Sequence, residues 1–221
     1  GYTMVYGIAK MLNFAHGDII MVGAYAVIST VSLAQLPGVV GVAVSVVVCV
    51  FLGVTIEFLA YRPLRKAPSL AVLITAIGVS YLLQSLALLV FKSEPKAFPT
   101  IIEIPSLTFG GVVIDGMTLL TLAVTAVIMI SLSLFINKTK LGKAMRAVSE
   151  DKDAAELMGI SVNRTITMTF AIGSALAAVA SVFYGATYTY IKPTTGSMPG
   201  IKAFTAAVFG GIGSIPGAML G

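Results

Sequence analysis

Asn13, His16 and Asp18 stand together in one short stretch, MLNFAHGD (Met11 to Asp18), of a chain in which 57% of residues are hydrophobic and only 10% are charged. Side chains of these types are costly in or near a bilayer, and where they occur they usually face a bundle interior or a solute pathway. Gly17 followed by Asp18 can also end one helix and begin another. A helix start there would aim backbone N–H groups and a positive dipole at an anionic group. A plainer arrangement competes with this one: an interfacial turn in which Asp18 caps a helix and His16 bonds to backbone. Counting back from the Pro37-Gly38 turn favours the plainer one, because Asn13 to Asp18 then fall near the end of a span and reach mid-depth only if the helix is tilted or kinked.

The second region with chemistry to offer is the polar, basic loop from Asn137 to Arg164. Within it, Ser149 can cap a short helix, Glu150, Asp151 and Asp153 favour its positive end, and Gly159 suits the left-handed position after its last turn. The spacing predicts a helix over Glu150 to Met158, with Ala154, Leu157 and Met158 as an apolar stripe and Ala155 beside it. Such a stripe would seat in a groove on a partner, although a solvated connector is an equally simple reading of the same loop. Asn163 is then placed to cap the next membrane helix. A third candidate is GIKAFTAAVFGGIGSIPG, Gly200 to Gly217, where Pro216 would break a helix and Thr205 and Ser214 could line a pathway. Packing explains that segment about as well.

Enzymatic chemistry has little to work with. There is one His, one Cys (Cys49), no HExxH metal motif and no GxxxxGK[ST] phosphate loop, so neither a metal site nor a cofactor is expected, nor a site for nucleotide hydrolysis.

These residues must be positioned by membrane helices, since so little polar surface cannot solvate an ordinary soluble domain. A span needs about 20 predominantly apolar residues. Ile19 to Leu36, Val39 to Ala60, Leu70 to Phe91, Met117 to Ile136 and Thr165 to Ile191 qualify. Ile201 to Gly221 reads as a possible further span, better as a broken or re-entrant segment because of its glycines and Pro216. The expected fold is an all-α polytopic transmembrane bundle, one membrane domain over residues 1–221, read as a fragment of a longer chain.

Lys and Arg set the orientation. The loops at 61–69 and 137–164 hold 9 of the 14 basic residues, which makes theirs the cytoplasmic side. The net charge of +5 then reflects basic loops facing an anionic leaflet and calls for no nucleic acid. Within the spans, Glu57 is expected to pair with Arg62 or Arg65, and Thr75, Gln84 and Ser85 to bridge helices. Gly23, Gly53 and Gly78 are read as close helix contacts, and Tyr184, Tyr188 and Tyr190 as interfacial anchors.

Four segments occur together in order: MLNFAHGD, IEFLAYRPLRKAP (Ile56 to Pro68), EDKDAAELMGISVNR (Glu150 to Arg164) and PGIKAFTAAVFGGIGSIPGAMLG (Pro199 to Gly221). In this register they strongly resemble the H-type permease subunit of bacterial ABC importers for branched-chain amino acids, nearly end to end. The resemblance implies a multi-pass transport subunit of the bacterial cell membrane without enzymatic activity. It also implies a related M-type permease, two cytoplasmic ATPases and an extracytoplasmic binding protein as partners. Glu150, Asp151, Ala154, Ala155, Leu157, Met158 and Gly159 would belong to the coupling helix on the ATPase. Asn13, His16, Gly17 and Asp18, with Thr205 and Ser214, would line the substrate pathway. Permeases for urea or short amides share the architecture and remain the alternative. An ion-coupled secondary transporter is disfavoured because no carboxylate falls in the middle of any predicted span.

Overall fold

Backbone polar groups have no water to bond in hydrocarbon, so each long apolar run satisfies its own N–H and C=O groups as a helix. The computed structural model describes residues 2–65, 67–101, 105–109, 112–211 and 217. Its helices are α1 (Tyr2–Ala9), α2 (His16–Ile28), α3 (Gly38–Ile56), α4 (Ser69–Phe91), α5 (Gly116–Lys138), α6 (Lys140–Glu150), α7 (Lys152–Leu157), α8 (Val162–Tyr188) and α9 (Ser197–Phe209). Helices α2 and α3 each close on a π-helical turn, Ser29–Leu33 and Glu57–Tyr61. With those turns included, five helices are long and apolar enough to cross a membrane, at the places the sequence predicts.

The segment between α4 and α5 and the one after α8 carry short strands. Lys96–Ala97 (β1) pairs antiparallel with Tyr190–Ile191 (β4), while Leu107–Phe109 (β2) and Val112–Ile114 (β3) form a hairpin. Phe98 is buried against Gly185 of α8 and ties this end of the bundle together.

Helices α2, α3 and α8 form the interior. They approach closely because small residues meet: Gly23 faces Ser45, Cys49 and Ser181, and Gly53 faces Ser174, so a side chain at either glycine would collide with its neighbours. Ser45 Oγ donates to the Gly23 carbonyl at 2.9 Å, adding a hydrogen bond across the same seam. Gly78 departs from the expectation, because nothing lies within reach of a side chain there. Helix α5 is peripheral, with Gly116 its only buried residue, and α4 exposes Tyr81, Leu82, Leu86, Leu88 and Leu89. Exposed apolar faces of this extent suit lipid or another membrane subunit.

Helix α9 has 13 residues and ends before Gly211, whose φ of 86° takes the left-handed region. That is too short to span, in keeping with a broken segment. Gly213, Ser214 and Pro216 lie outside the described residues.

At the end of the bundle where α3 meets the 61–69 loop, Glu57 is fully buried and paired with Arg65 rather than Arg62. Thr167 Oγ1 of α8 donates to Glu57 Oε2 at 2.8 Å, and the other guanidinium nitrogen of Arg65 donates to Asn163 Oδ1. Asn163 is therefore not the cap of α8; that position is Ser161. Arg62 instead lies over the Phe58 ring, 5.2 Å from its centroid. Removing one partner of a buried pair leaves an uncompensated charge, at a cost on the order of 3 kcal/mol. Arg65→Met is expected to lower the melting temperature of the detergent-solubilised protein, and the double variant Glu57→Gln/Arg65→Met to recover most of the loss. Unchanged melting in Arg65→Met would show that the pair carries no such weight.

Candidate functional site

Chain continuity breaks between α1 and α2. Helix α1 ends where Lys10 adopts a left-handed backbone (φ 58°), and helical geometry resumes at His16. The intervening polar groups find partners inside the bundle: Tyr61 Oη donates to Asn13 Oδ1 at 2.9 Å, and Lys152 Nζ donates to the Ala9 carbonyl at 3.0 Å. Such non-helical backbone is tolerated at this depth only when protein satisfies it. Asn13 Nδ2 and Tyr2 Oη, both buried beside the break, have no partner among the described residues.

Because α2 begins inside the bundle, Asp18 lies deep within it. Its neighbour Ile19 accepts from the thiol of Cys49, which sits halfway along the 24-residue span Gly38–Tyr61. The Asp18 side chain, 1% exposed, reaches Ser80, halfway along the span Ser69–Phe91. Two expectations are corrected here. The Asp18 end of MLNFAHGD does not lie at the edge of a span, although Asn13 sits beside Tyr61, the last residue of the span Gly38–Tyr61, and a carboxylate does occupy the middle of the bundle. The physical reason is that the path from Asp18 to the Pro37-Gly38 turn is not one straight α-helix: it passes through the π-helical turn Ser29–Leu33 and non-helical residues after it, and so covers less depth than its length in residues suggests. Asp18 does not cap α2 either: the residue before the helix is Ala15, with no side-chain cap bond.

Three helices build the polar cluster around Asp18. Ser80 Oγ donates to Oδ2, and Gln84 Nε2 lies 3.0 Å from Oδ1, 3.2 Å from Ser80 Oγ and 3.2 Å from Ser197 Oγ at the start of α9. Gln84 thus bridges helices, as its mid-span position predicts. Ser85 is exposed and takes no part. Gly17 lies against Gly196 and Gly200, and a side chain at Gly17 would run into their backbones, so the starts of α2 and α9 meet without side chains between them. His16 turns its ring edge-on to Tyr2, with centroids 6.2 Å apart.

Of the predicted pathway residues, Asn13, His16, Gly17 and Asp18 are buried around this junction. Thr205 is not: it is exposed and bonds back to the Ile201 carbonyl at 2.9 Å. Ser214 lies outside the described residues. Sequence reasoning missed Ser80 and Ser197. Ser80 had a readable signal, since it stands one turn before Gln84 on the same helix face.

The loop after α5 holds the second site. Helix α6 runs through Ser149, whose hydroxyl donates to the Arg146 carbonyl, so Ser149 is not a cap. The cap is Asp151, whose Oδ1 accepts from the N–H groups of Asp153 at 2.9 Å and Ala154 at 3.0 Å. A chain carrying both α6 and α7 needs a non-helical residue between them, and an extended Asp151 supplies it. Glu150 therefore ends α6 instead of opening the predicted helix. Ala155 is buried beneath α7, while Ala154, Leu157 and Met158 stand in the open, Leu157 89% and Met158 82% exposed. Gly159 ends the helix with φ 81°, as expected of it. Lys152 anchors α7 to α1; burial, with Arg65 and Lys10 nearby, holds its ammonium below the usual lysine range.

A cavity of about 510 Å³ separates α5 from α8, lined by Thr121, Thr125, Leu176, Phe183 and Tyr184. None of the predicted site residues lines it, although Tyr184 and Tyr188, expected as anchors, do.

Residues 1–221 match the family described as branched-chain amino acid transport system / permease component. The chain is 47% identical over 234 residues to the high-affinity branched-chain amino acid transport system permease protein BraD of Pseudomonas aeruginosa, covering 100% of this chain and 76% of that protein. It is 41% identical to the proteins of the same description named LivH from Salmonella typhimurium, over 233 residues, and Escherichia coli K12, over 240, with 100% of this chain and 76% of each relative covered. No solved structure matches. A polytopic helical bundle matched from end to end in this way belongs to the family of branched-chain amino acid transport permeases.

Proposed function

We propose that this chain is the transmembrane subunit of an ATP-driven ABC importer for branched-chain amino acids. The observation that carries the substrate class is the end-to-end match to permeases named for those amino acids. In this reading the chain pairs with a related M-type permease in the bacterial cell membrane, with loops 61–69 and 137–164 on the cytoplasmic side because Lys and Arg concentrate there. An extracytoplasmic binding protein delivers the substrate, and two cytoplasmic ATPases supply the energy.

Two geometric features support it. The Asp18 cluster puts hydrogen-bonding groups halfway across the bundle, next to the exposed face of α4, where a second permease subunit would complete a pathway. Asn13, His16 and Gly17 belong to the same element. On the other side, α7 presents Leu157 and Met158 as an unpartnered apolar pair on a capped, anchored helix, the form of a segment that inserts into a groove. Asp151, Ala154 and Gly159 give that helix its start, its adjoining surface and its end, while Ala155 holds it to the bundle and Glu150 closes the helix before it.

Replacing Leu157 and Met158 by Asp is expected to detach the ATPases from the purified complex while leaving membrane insertion intact. Co-purification at the wild-type level would end the coupling role. Uptake of radiolabelled leucine and of urea is to be compared in cells with and without the gene, under ATP depletion and under collapse of the proton gradient. Loss of ATP-dependent leucine uptake is the expected result. Loss of urea uptake alone would move the substrate, and dependence on the ion gradient would overturn the importer class.

A further inference from the structure

Asp18 is a carboxylate buried in the middle of a membrane bundle with hydrogen bonds but no counter-ion among the described residues. The ion pair found among the described residues is Glu57 with Arg65, at the end of α3. Helices α2 and α4 contain no Lys or Arg, and on α9 the one cation, Lys202, is exposed on the side away from the Gly17–Gly200 contact. His16, two residues before Asp18, cannot lie on the same helix face and is turned to Tyr2. A charge in this setting is normally matched by one of opposite sign or marks a ligand pathway.

The cluster also holds the carboxylate through donors that lie at the edge of the bundle. Gln84 Nε2 sits between Asp18, Ser80 and Ser197 and is within hydrogen-bond distance of all three, but it has only two hydrogens to give. Ser80 and Gln84 are half-buried rather than sealed, so the cluster borders the exposed face of α4 with Tyr81 and Ser85. The junction with α9 adds a second helix N-terminus, and the glycines that meet there bring the two helix starts into backbone contact beside the cluster. Buried and unpartnered, Asn13 Nδ2 and Tyr2 Oη lie at the same helix break.

We propose that Asp18, oriented by Ser80 and Gln84, is the site that receives the ammonium group of a passing amino acid, supplying within the membrane the cation this cluster lacks. The inference rests on the importer reading above and specifies the ligand chemistry of its pathway. It selects a zwitterion over a neutral amide: urea and short amides carry no cation to pair with Asp18.

The test uses the full complex of permeases, ATPases and binding protein in proteoliposomes. Asp18→Asn keeps the shape of the side chain and removes its charge, with the new amide oxygen accepting from Gln84 and its NH2 donating to the Ser80 hydroxyl, which can reverse its role. The expected result is at least a tenfold fall in the maximal rate of leucine uptake, an unchanged half-saturating concentration of leucine-loaded binding protein, and more ATP hydrolysed per leucine moved. A merely structural residue would not raise the ATP cost per leucine in an assembled complex. Wild-type maximal uptake at wild-type ATP cost in Asp18→Asn would overturn the proposal. Should that variant fail to assemble, Gln84→Lys places a fixed ammonium beside Asp18; it is expected to assemble and to lose leucine uptake, and wild-type uptake in it would equally overturn the proposal. Wild-type vesicles that take up urea and not leucine would instead refute the substrate reading on which this inference rests.

Discussion

Hydrocarbon gives a carboxylate no solvation, so the side chain of Asp18 has to find its partners within the protein, and that requirement governs how the helices around it are placed. Its donors come from α4, one of them also reaches α9, and its backbone belongs to α2. The close contact of Gly17 with Gly196 and Gly200 follows from the same demand, since Ser197 can approach the cluster only if the two helix starts nearly touch. A bulky residue at any of these glycines would separate α9 from α2 and draw Ser197 away from Gln84.

Interior order in the rest of the bundle has a different origin. Between α2, α3 and α8 no hydrophobic force distinguishes protein from lipid, so close packing of small residues and hydrogen bonds such as Ser45 to the Gly23 carbonyl hold the helices. Large apolar side chains are left outside, on α4 and α5. The resulting asymmetry, a dense trio on one side and lightly packed helices on the other, leaves the Asp18 cluster at the boundary between them.

The membrane spans were legible because length and apolarity are properties of single segments, and each span could be read without knowing its neighbours. Gly23 and Gly53 were legible for a similar reason, whereas Gly78 looks the same in sequence and packs against nothing. What could not be read is depth. The π-helical turn Ser29–Leu33 and the non-helical residues after it shorten the path between Asp18 and Pro37, and no periodicity reports them, because Ile19 to Leu36 is apolar enough to pass as one straight span. The caps of the docking loop were misplaced by a related ambiguity. Ser149 and Asp151 are both good caps by type, and only the tertiary contacts of Met145 and Val148, which extend α6 through Glu150, decide between them.

The same contacts connect the two sites physically. Lys152, the first residue of α7, donates to the last carbonyl of α1, so the helix that carries Leu157 and Met158 is fastened to the chain just before the break that leads into α2 and Asp18. Arg65 makes a second attachment, from Asn163 in the first turn of α8 to Glu57 of α3, and Tyr61 of the same π-helical turn reaches Asn13 within the break. A rigid displacement of α7 would therefore have to stretch the Lys152 bond or carry the end of α1 with it. Residues Lys10 to Ala15, having no helical ladder to resist, are the weakest link on that path, and deformation would be taken up there, just before the helix that carries the carboxylate.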